Sequence, residues 1–437
     1  MRVLLVVPTI PELRPRFGRP VGHRVFRVPF AGLLTVATIL AQEHDVTLID
    51  EHVEEVDLET NCDLVGFTVA AATAPRAAVL AKQFRARGIP AFAGGFHPTF
   101  DPAGCLAHFD ALVVGEAEGV VERLVRDAAA GRLERVYQRP EPCDPSAILP
   151  LRRDLVRQPG EYFTINVITA TRGCPYRCDF CGVRAFHRDI YRTRPLASVL
   201  GELQSMQGRR VLFTDDNLIG DREYAKALFR EMVPLRKWWL AQMSIDCARD
   251  PELLDLAGRA GCLGVFIGFE TLSATNLAQQ GKRQNVRQDY GEVIDTLHRH
   301  GIAVAAGTMF GFDDDDRSVF DHTVEFFLER GLDCMQVDPL TPFPGTELYR
   351  KLDAEGRITT RELERYNIGS TVFRPRGMTA EELEVGLRRV RARFYSLPQV
   401  VRRTLRLFCR RPVAGAVFGT LNWAYHRHLR LEIGYPP

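Results

Sequence analysis

The sequence lacks any long hydrophobic run: no uninterrupted apolar stretch in its 437 residues approaches the length of a membrane-spanning helix. We also expect no secretory leader, because Met1–Pro8 is a short apolar segment of the kind that forms a strand. A formal net charge of +2 argues against nucleic-acid binding over the whole surface, although it permits a local basic patch. We therefore expect a cytoplasmic protein.

Composition and length indicate a soluble chain of two or three domains. Hydrophobic residues make up 46% and charged residues 26%, as in ordinary globular proteins. A chain of 437 residues exceeds one ordinary domain. The ten cysteines fall into one tight group and scattered single positions, which favours reduced thiols and a metal centre over a disulfide framework.

The tight group consists of Cys174, Cys178 and Cys181, spaced CxxxCxxC after the apolar run Phe163–Ile168. Thiolates are the ligands of iron-sulfur clusters, and three of them leave one iron of a four-iron cluster open. The alternatives are three incidental cysteines or a zinc loop. Zinc sites usually close with four ligands, and His187 is the one nearby residue that could act as the fourth.

Residues 1–138 alternate short apolar runs with helical patterns. Strands are predicted at Arg2–Val7, Asp45–Asp50, Leu64–Val69, Ile89–Ala93 and Ala111–Val114. This alternation predicts a doubly wound parallel sheet, whose ligands lie at the carboxyl ends of the strands. Small and polar residues stand at those ends, namely Thr68, Gly94, Gly95, His97, Gly115 and Glu116. Paired glycines admit a large ligand, although a plain tight turn explains them equally well.

A proline-rich segment, residues 139–160, indicates a linker, within which Leu149–Leu155 is expected to lie across a domain interface. Alternation resumes in residues 161–350, with strands predicted at Phe163–Ile168, Arg210–Asp215, Trp239–Ile245, Cys262–Phe269, Ala303–Met309 and Cys334–Val337. At or near their carboxyl ends stand Asp215, Asp216, Ser244, Asp246, Gly268, Glu270 and Met309. For the first two of these residues, capping of the following helix is a simpler alternative.

The cysteine motif, with Phe180 directly before its last cysteine, resembles the signature of the radical S-adenosylmethionine (SAM) enzymes. The resemblance implies a [4Fe-4S] cluster held by Cys174, Cys178 and Cys181, whose open iron binds SAM and yields a 5′-deoxyadenosyl radical. It also implies that residues 161–350 form a partial (β/α)6 barrel. The residues then expected to bind SAM are Phe180, Asp215, Asp216, Ser244, Asp246, Gly268, Glu270 and Met309.

The stretches Gly94–Thr99 and Val113–Glu118 resemble the cobalamin-binding domain that precedes the barrel in one radical SAM subfamily. The resemblance covers residues 1–138 and implies that cobalamin contacts Thr68, Gly94, Gly95, His97, Gly115 and Glu116. Many such domains carry DxHxxG after the first strand, with its histidine on cobalt.

This sequence departs from that pattern. The loop after the first strand holds a lone His23, and the triplet Asp50–His52 follows the second strand. We interpret the triplet as a solvated strand end, so the lower face of cobalamin is expected to have no histidine ligand from the protein. Loss of the cofactor is the alternative.

Together the resemblances imply a cobalamin-dependent enzyme that methylates an unactivated carbon. Members of the subfamily with this layout act on hydrophobic substrates such as hopanoids and bacteriochlorophyll side chains. An electron donor such as flavodoxin or ferredoxin is also implied. Two alternatives are a radical rearrangement, cyclisation or carbon-carbon bond formation without methyl transfer, and a non-enzymatic sensor. A sensor would not need polar residues at the strand ends in addition to the cysteines.

The carboxyl-terminal region, residues 351–437, is predicted to be helical and basic. Between Ser396 and Leu431 there is no Asp or Glu, whereas seven arginines stand among apolar residues. Such a stretch can lie on the anionic inner face of a membrane. It can equally pack on the barrel with its arginines facing solvent, and the sequence leaves both alternatives open.

Overall fold

The computed structural model describes residues 1–10 and 27–430, with side chains up to residue 427. The lone His23 lies outside the described residues. The first sheet contains β1 (Arg2–Val7), β2 (Asp45–Asp50), β3 (Leu64–Thr68), β4 (Ala91–Gly94), β5 (Ala111–Val114) and β6 (Val136–Gln138). The helices of this part are α1 (Ala31–Leu40), α2 (Ala74–Ala86), α3 (Phe96–Phe100), α4 (Pro102–Cys105) and α5 (Val121–Ala129). The strand order is β2-β1-β3-β4-β5-β6, and all pairs are parallel, which confirms the predicted doubly wound sheet.

Strand β1 shows why this sheet is covered on both faces. Val3, Leu5 and Val7 pack into one hydrophobic cluster, whereas Leu4 and Val6 pack into another. Successive side chains of a strand point to opposite faces, so a continuous apolar run requires a hydrophobic layer on each side. The short β6 was not predicted, because only Tyr137 among its three residues is buried.

The interpretation of Asp50–His52 as a solvated strand end is wrong. Asp50 and Glu51 are both buried. Asp50 accepts hydrogen bonds from the His52 ring, at 2.7 Å, and from the Tyr162 hydroxyl, at 2.9 Å. Glu51 pairs with Arg76 and also accepts the backbone N–H of Thr9. Partners distant in the sequence therefore compensate for the burial of these charges.

The linker crosses the interface between the two sheets, as predicted for Leu149–Leu155. The backbone N–H of Leu151 donates to Glu202, and the Arg153 guanidinium pairs with the same carboxylate at 2.6 Å. On the other side, the backbone N–H of Arg152 donates to the Thr38 hydroxyl in α1. Between residues 139 and 160 the chain forms short 3-10 turns and neither α-helix nor strand.

The second parallel sheet contains β7 (Val167–Ile168), β10 (Arg210–Phe213), β11 (Trp238–Gln242), β12 (Cys262–Glu270), β13 (Ala303–Phe310) and β14 (Cys334–Pro339). Its order is β14-β13-β12-β11-β10-β7. A separate antiparallel pair, β8 (Thr171–Arg172) and β9 (Arg192–Thr193), encloses the cysteine loop. The helices are α6 (Gly182–Phe186), α7 (Leu196–Ser205), α8 (Arg222–Met232), α9 (Pro251–Arg259), α10 (Ala274–Gln279), α11 (Tyr290–Arg299) and α12 (Val319–Glu329).

The carboxyl-terminal helices are α13 (Glu347–Ala354), α14 (Ala380–Phe394), α15 (Leu397–Arg410) and α16 (Pro412–Arg430). Phe418 of α16 packs with Leu263, Ala303 and Cys334, which stand at the beginnings of three adjacent strands. A side chain at Gly264 would collide with the Phe418 ring. Helix α16 therefore closes the amino-terminal end of the barrel, opposite to the cysteine loop. Among the described residues, none of the helices is both long and apolar enough to cross a bilayer.

Candidate active site

The three motif cysteines lie on the loop between β8 and α6, beyond the carboxyl end of β7. Cys178 is buried and Cys174 and Cys181 are half-buried. Burial raises the pKa of all three thiols, for Cys181 to about 12. The side-chain amides of Asn217 and Gln284 donate to Cys174 and Cys178, each over 3.9 Å. Amide donors to sulfur are among the contacts that tune protein-bound iron-sulfur clusters.

The donor set fits a cluster better than a single metal ion. Within the part of the chain that the structure describes, no three His, Cys, Asp or Glu side chains converge closely enough to bind one metal ion. In an iron-sulfur cluster each cysteine binds a different iron, so the thiols need not converge on one point. His187 does not face the cysteines as a fourth zinc ligand, because its ring lies between Glu116 and Asp216.

A buried ion pair, Glu270 with Lys282, stands beside the cysteine loop. Burial alone would lower the pKa of Lys282, but the charges of Glu270 and Cys178 raise it. The ammonium also lies 5.7 Å from the centre of the Phe180 ring. Glu270 has φ +65°, a conformation that residues with a side chain rarely adopt. A side chain at Gly268 would reach within 2.2 Å of the Glu270 carboxylate, so the pair requires glycine there.

Three buried acceptor oxygens around this loop fit the donor groups of SAM. The amide oxygens of Gln280, Gln284 and Asn285 have no hydrogen-bond partner among the described residues. Asn285 itself donates to the carbonyls of Gly268 and Phe269 at the end of β12. Buried acceptors of this kind normally have a partner, and a bound ligand with ammonium and hydroxyl groups would supply one.

Asp215 and Asp216 differ in their environments. Asp215 is buried and accepts hydrogen bonds from the backbone N–H groups of Ala170 and Thr171 and from the Thr171 hydroxyl. Burial raises its pKa to about 7. Asp215 thus fixes the strand that leads into the cysteine loop. Asp216 is the more exposed of the two and reaches within 3.5 Å of His187. Neither residue caps α8, which is capped by Asp221.

The next strand end places Ser244 and Asp246 on the same side. The backbone N–H of Ser244 donates to Asn217, the residue whose amide also donates to Cys174. Asp246 pairs with Arg222 and accepts the Tyr176 hydroxyl from the cysteine loop at 2.9 Å. Burial alone would raise the Asp246 pKa, but hydrogen bonds with the side chains of Ser244, Tyr176 and Arg222 lower it.

Met309 is half-buried on β13, opposite Asp338 of β14. The Gln336 side chain donates to the Asp338 carboxylate at 2.5 Å. Burial, followed by the nearby charge of Glu270, raises the Asp338 pKa to about 7. Sequence analysis missed Lys282, Gln336 and Asp338. Alternate positions of β14 share a face, so a polar residue at every second position was the available signal for the last two.

In the amino-terminal sheet, Thr68, Gly94, Gly95 and Gly115 come together because β3, β4 and β5 are neighbours. Gly95 has φ +106°, and a side chain there would meet the Val69 backbone at about 3.1 Å. Gly115 has φ +79° and faces open space.

Two further residues complete this edge of the sheet. The Thr99 hydroxyl donates to the Gly95 carbonyl and accepts the Gly115 N–H, which ties the two glycine turns together. His97 is buried, and burial lowers its pKa. The edge thus presents backbone and small residues, which fits a large flat cofactor.

Glu116 does not face that open edge. Its carboxylate accepts hydrogen bonds from Arg172 and Arg192 and from the backbone N–H of Cys143. Burial alone would raise its pKa, but His187, Arg192 and Arg172 lower it. The prediction of Glu116 as a cobalamin contact missed this arrangement, because both arginines lie more than fifty positions away in the sequence.

The carboxyl-end edges of the two sheets contact each other through aromatic side chains. Phe96, directly after the glycine pair, lies 4.7 Å from Phe186 of α6, measured between ring centroids. A side chain at Gly345 would collide with Phe100, and one at Gly182 would lie about 3.1 Å from the Phe100 ring. The glycine turns of the first sheet and the cysteine loop of the second are therefore adjacent.

Comparisons with known proteins agree with this geometry. The profile of the Radical SAM superfamily matches residues 168–327, and that of the B12 binding domain matches residues 21–125. The chain is 30% identical over 362 residues to bacteriochlorophyllide d C-12(1)-methyltransferase of Chlorobaculum tepidum, covering 80% of this chain and 79% of that protein. It is 25% identical to the hopanoid C-2 methylase of Rhodopseudomonas palustris, covering 76% of this chain and 65% of the relative.

Among solved structures, the fold is similar to that of the radical SAM methyltransferase TsrM from Kitasatospora setae, determined with cobalamin and a [4Fe-4S] cluster bound. The TM-score is 0.64 at 19% identity, over 81% of this chain and 75% of TsrM. This likeness shows a shared arrangement of the two sheets.

Proposed function

The chain belongs to the cobalamin-dependent radical SAM methyltransferases, and from that membership we propose that it methylates an unactivated carbon of a hydrophobic or amphiphilic small molecule. When bound, the [4Fe-4S] cluster and SAM supply a radical that removes a hydrogen atom, and cobalamin supplies the methyl group. The observation that carries the proposal is the contact between the glycine-turn edge of the first sheet and the helix that follows the cysteine loop, because one substrate must reach both cofactors. We take the cofactor cleft to lie between these two elements.

We propose the following roles for the side chains of the cleft. Cys174, Cys178 and Cys181 bind the cluster, and Asn217 and Gln284 hold the first two in place. The SAM site is formed by Phe180, Asp216, Ser244, Asp246, Gly268, Glu270 and Met309, with Asp215 positioning the loop. The cobalamin edge is formed by Thr68, Gly94, Gly95, His97 and Gly115, whereas Glu116 joins the two domains.

The substrate class is supported by the relatives and by the walls of the cleft. The two methylating relatives carry the names of a tetrapyrrole and a hopanoid as their substrates. Phe96 and Ile190 leave large apolar side chains 42% and 41% exposed in this part of the molecule. An apolar substrate would remove this surface from water.

The test is label transfer. The anaerobically reconstituted enzyme, supplied with a reductant and SAM deuterated at its methyl group, would be incubated with bacteriochlorophyllide d as the probe. The expected product carries the deuterated methyl group, and 5′-deoxyadenosine accumulates with it. Formation of 5′-deoxyadenosine with a changed but unlabelled probe would contradict methyl transfer and favour the rearrangement chemistry instead.

The remaining parts of the proposal concern organisation and partners. We take residues 1–138 as the cobalamin-binding domain, 139–160 as the linker, 161–350 as the barrel and 351–437 as the carboxyl-terminal region. A small acidic electron carrier of the flavodoxin or ferredoxin type would serve as reductant. Peripheral membrane contact is proposed through residues 396–431, of which Leu431 lies outside the described residues.

A further inference from the structure

A pocket remote from the proposed cofactor residues opens at the amino-terminal end of the barrel. It has a volume of about 700 Å³ and lies between the last turns of α11, α12 and α15. Gly301 lines it, and this residue stands shortly before β13. Five arginines line it as well, namely Arg299, Arg330, Arg406, Arg410 and Arg411. We call this space the arginine pocket.

The lining of the arginine pocket has an excess of positive charge. Beside the five guanidinium groups stand two carboxylates, Asp295 and Glu329, and the imidazole of His298, whose Nε2 atom lies 2.7 Å from Asp333. With the histidine neutral, five positive and two negative groups leave a formal charge of +3. Among the described residues, neither Asp295 nor Glu329 forms a salt bridge, so the excess charge is not confined to one side.

Two of the arginines have no polar partner within the described part of the chain. The side chains of Arg330 and Arg410 form neither a salt bridge nor a hydrogen bond there. Arg406 donates to the Gly331 carbonyl and lies 3.5 Å from Asp333. Most of the donor groups in the pocket are therefore available to a ligand.

Helix ends explain part of this arrangement. Free carbonyls at the carboxyl end of a helix attract cations, which accounts for Arg299, Arg330 and Arg410 at the ends of three helices. Arg406 and Arg411 bring two further positive charges to the same space. The number of arginines thus exceeds one for each helix end.

The pKa of Arg406 indicates repulsion within the group. Burial lowers this pKa, the charge of Asp333 opposes the shift, and the charges of Arg410 and Arg402 add to it. A bound anion would relieve the repulsion between these guanidinium groups.

The other side of α12 shows how the protein neutralises arginines elsewhere. Asp321 and Glu325 of α12 pair with Arg389 and Arg393 of α14. On that side each arginine therefore meets a carboxylate, whereas on the side of the pocket Arg330 meets none among the described residues.

We propose that the arginine pocket binds a compact phosphate anion with more than one phosphate group. Guanidinium groups bind phosphate oxygens through paired N–H donors, and several of them around one space suit several phosphates. Apart from the His298 ring, the lining residues in the described part of the chain have no aromatic or aliphatic side chain. The pocket therefore lacks the surface that would select a nucleobase or an acyl chain. Because it lies opposite to the cysteine loop, this binding does not depend on methyl transfer.

The geometry of α15 disfavours a phospholipid headgroup as the source of the phosphate. An α-helix turns by about 100° per residue, which places Arg406 and Arg410 on the side of α15 away from the exposed Leu405 and Phe408. A bilayer in contact with these apolar side chains would not reach the pocket. A free anion in solution needs no such contact.

Isothermal titration calorimetry of the reconstituted full-length holoenzyme with inorganic tripolyphosphate tests the proposal. We expect one binding site per chain, with an affinity that falls as salt is added. The double variant Arg330→Gln with Arg410→Gln should bind about thirtyfold more weakly, because two charged donors are lost. Arg330→Lys with Arg410→Lys keeps both charges and should bind only about threefold more weakly than the parent.

A matched control separates the pocket from net charge. Arg259→Gln with Arg388→Gln removes the same charge from exposed positions on α9 and α14, and this variant should bind like the parent. Thermal unfolding without ligand shows whether each variant is folded, and tripolyphosphate should raise the midpoint of the parent. Iron analysis before and after titration checks that the probe has not extracted the cluster.

Two results would overturn the proposal. One is equal weakening by the pocket and control variants, which would show attraction to net charge alone. The other is a parent that does not bind tripolyphosphate at millimolar concentration. Sedimentation with phosphatidylglycerol vesicles tests the other source of phosphate. Vesicle binding that the Arg330→Gln and Arg410→Gln variant loses, and that tripolyphosphate does not compete with, would assign the pocket to lipid instead.

Discussion

The barrel and the amino-terminal sheet present different surroundings to the cofactors that we propose they bind. On the barrel side, buried charges are fixed by partners: Asp215 binds backbone N–H groups, and Glu270 pairs with Lys282. On the amino-terminal side, Gly95 and Gly115 expose backbone and carry no side chain. The charged Glu116 does not face this edge and pairs with Arg172 instead. A small, highly charged cofactor such as SAM is suited to fixed charges, whereas a large cofactor is suited to a smooth surface. Removing a charge should therefore weaken cofactor binding on the barrel side. Adding a larger side chain should weaken cofactor binding on the amino-terminal side.

The largest effect is expected from the cysteines of the barrel side. Cys178→Ala removes one of the three proposed cluster ligands, so iron should be lost and SAM cleavage should fall about a thousandfold or more. Iron analysis and 5′-deoxyadenosine formation measure the two effects. Cys409→Ala, at an exposed position on α15, is the control and should retain both. A Cys178→Ala protein with normal iron content and normal SAM cleavage would contradict the proposal that Cys178 binds the cluster.

A pH experiment sharpens the claim of buried charge on the barrel side. Asp338 has an ordinary pKa of 3.8 when unfolded and about 7 when folded, so the folded chain binds more protons between these values. The free energy of unfolding should therefore fall as pH rises from about 4 to about 7, by about 2–4 kcal/mol from this group alone.

Thermal unfolding of the SAM-free protein at two pH values within this window measures that slope. Asp338→Asn cannot ionise, so its midpoint temperature should change less with pH than that of the parent. Asp316→Asn, at an exposed position, is the control. A parent and an Asp338→Asn variant with the same pH dependence would show that the carboxyl group does not resist ionisation in the fold.

A variant of Glu116 tests whether the ion pairs of this carboxylate stabilise the contact between the two domains. Glu116→Gln leaves Arg192 without its carboxylate partner, whereas Arg172 keeps Glu118, and it should lower the stability by about 2 kcal/mol. Differential scanning calorimetry measures the shift. Glu134→Gln, which removes a solvent-exposed partner of Arg123, should change stability by less than about 0.5 kcal/mol. Equal shifts in both variants would contradict an interdomain role.

The smallest effect is expected from a larger side chain at the glycine turns, which should lower the cobalamin content. Gly94→Leu adds a side chain whose Cβ would make an ordinary 3.4 Å contact with Val113, so backbone strain is not the cause of any loss. Cobalamin content should fall about tenfold, while SAM cleavage continues. Absorption spectroscopy measures the cofactor. Gly201→Leu, in open space on α7, is the control, and unchanged cobalamin in Gly94→Leu would mean that the cofactor does not lie over this turn.

Sequence patterns predicted the strands well because each strand is a short run of apolar residues that are neighbours in the sequence. Both parallel sheets and the loop that carries Cys174, Cys178 and Cys181 follow from such runs. The pairs between distant residues could not be found in this way. Glu116 with Arg192 and Glu270 with Lys282 depend on how separate elements pack, and single-sequence periodicity carries no information on such contacts.

The buried triplet at the end of β2 shows the same limit. Asp50 and Glu51 have the composition of a solvated strand end, yet Tyr162 and Arg76 arrive from other elements and allow their burial. Charged residues are usually exposed, so the sequence alone favours the wrong environment. Composition predicts the environment of a charged residue only when no distant partner is available to compensate for burial.

The most direct test of the central claim is the cofactor content of the unaltered chain. Protein purified without oxygen and reconstituted with iron, sulfide and hydroxocobalamin would be analysed for all three. The account predicts one cobalamin per chain beside about four irons, held on the two sides of the cleft. A full cluster without retained cobalamin would contradict it, and would leave the amino-terminal sheet without the cofactor that its glycine turns are proposed to bind.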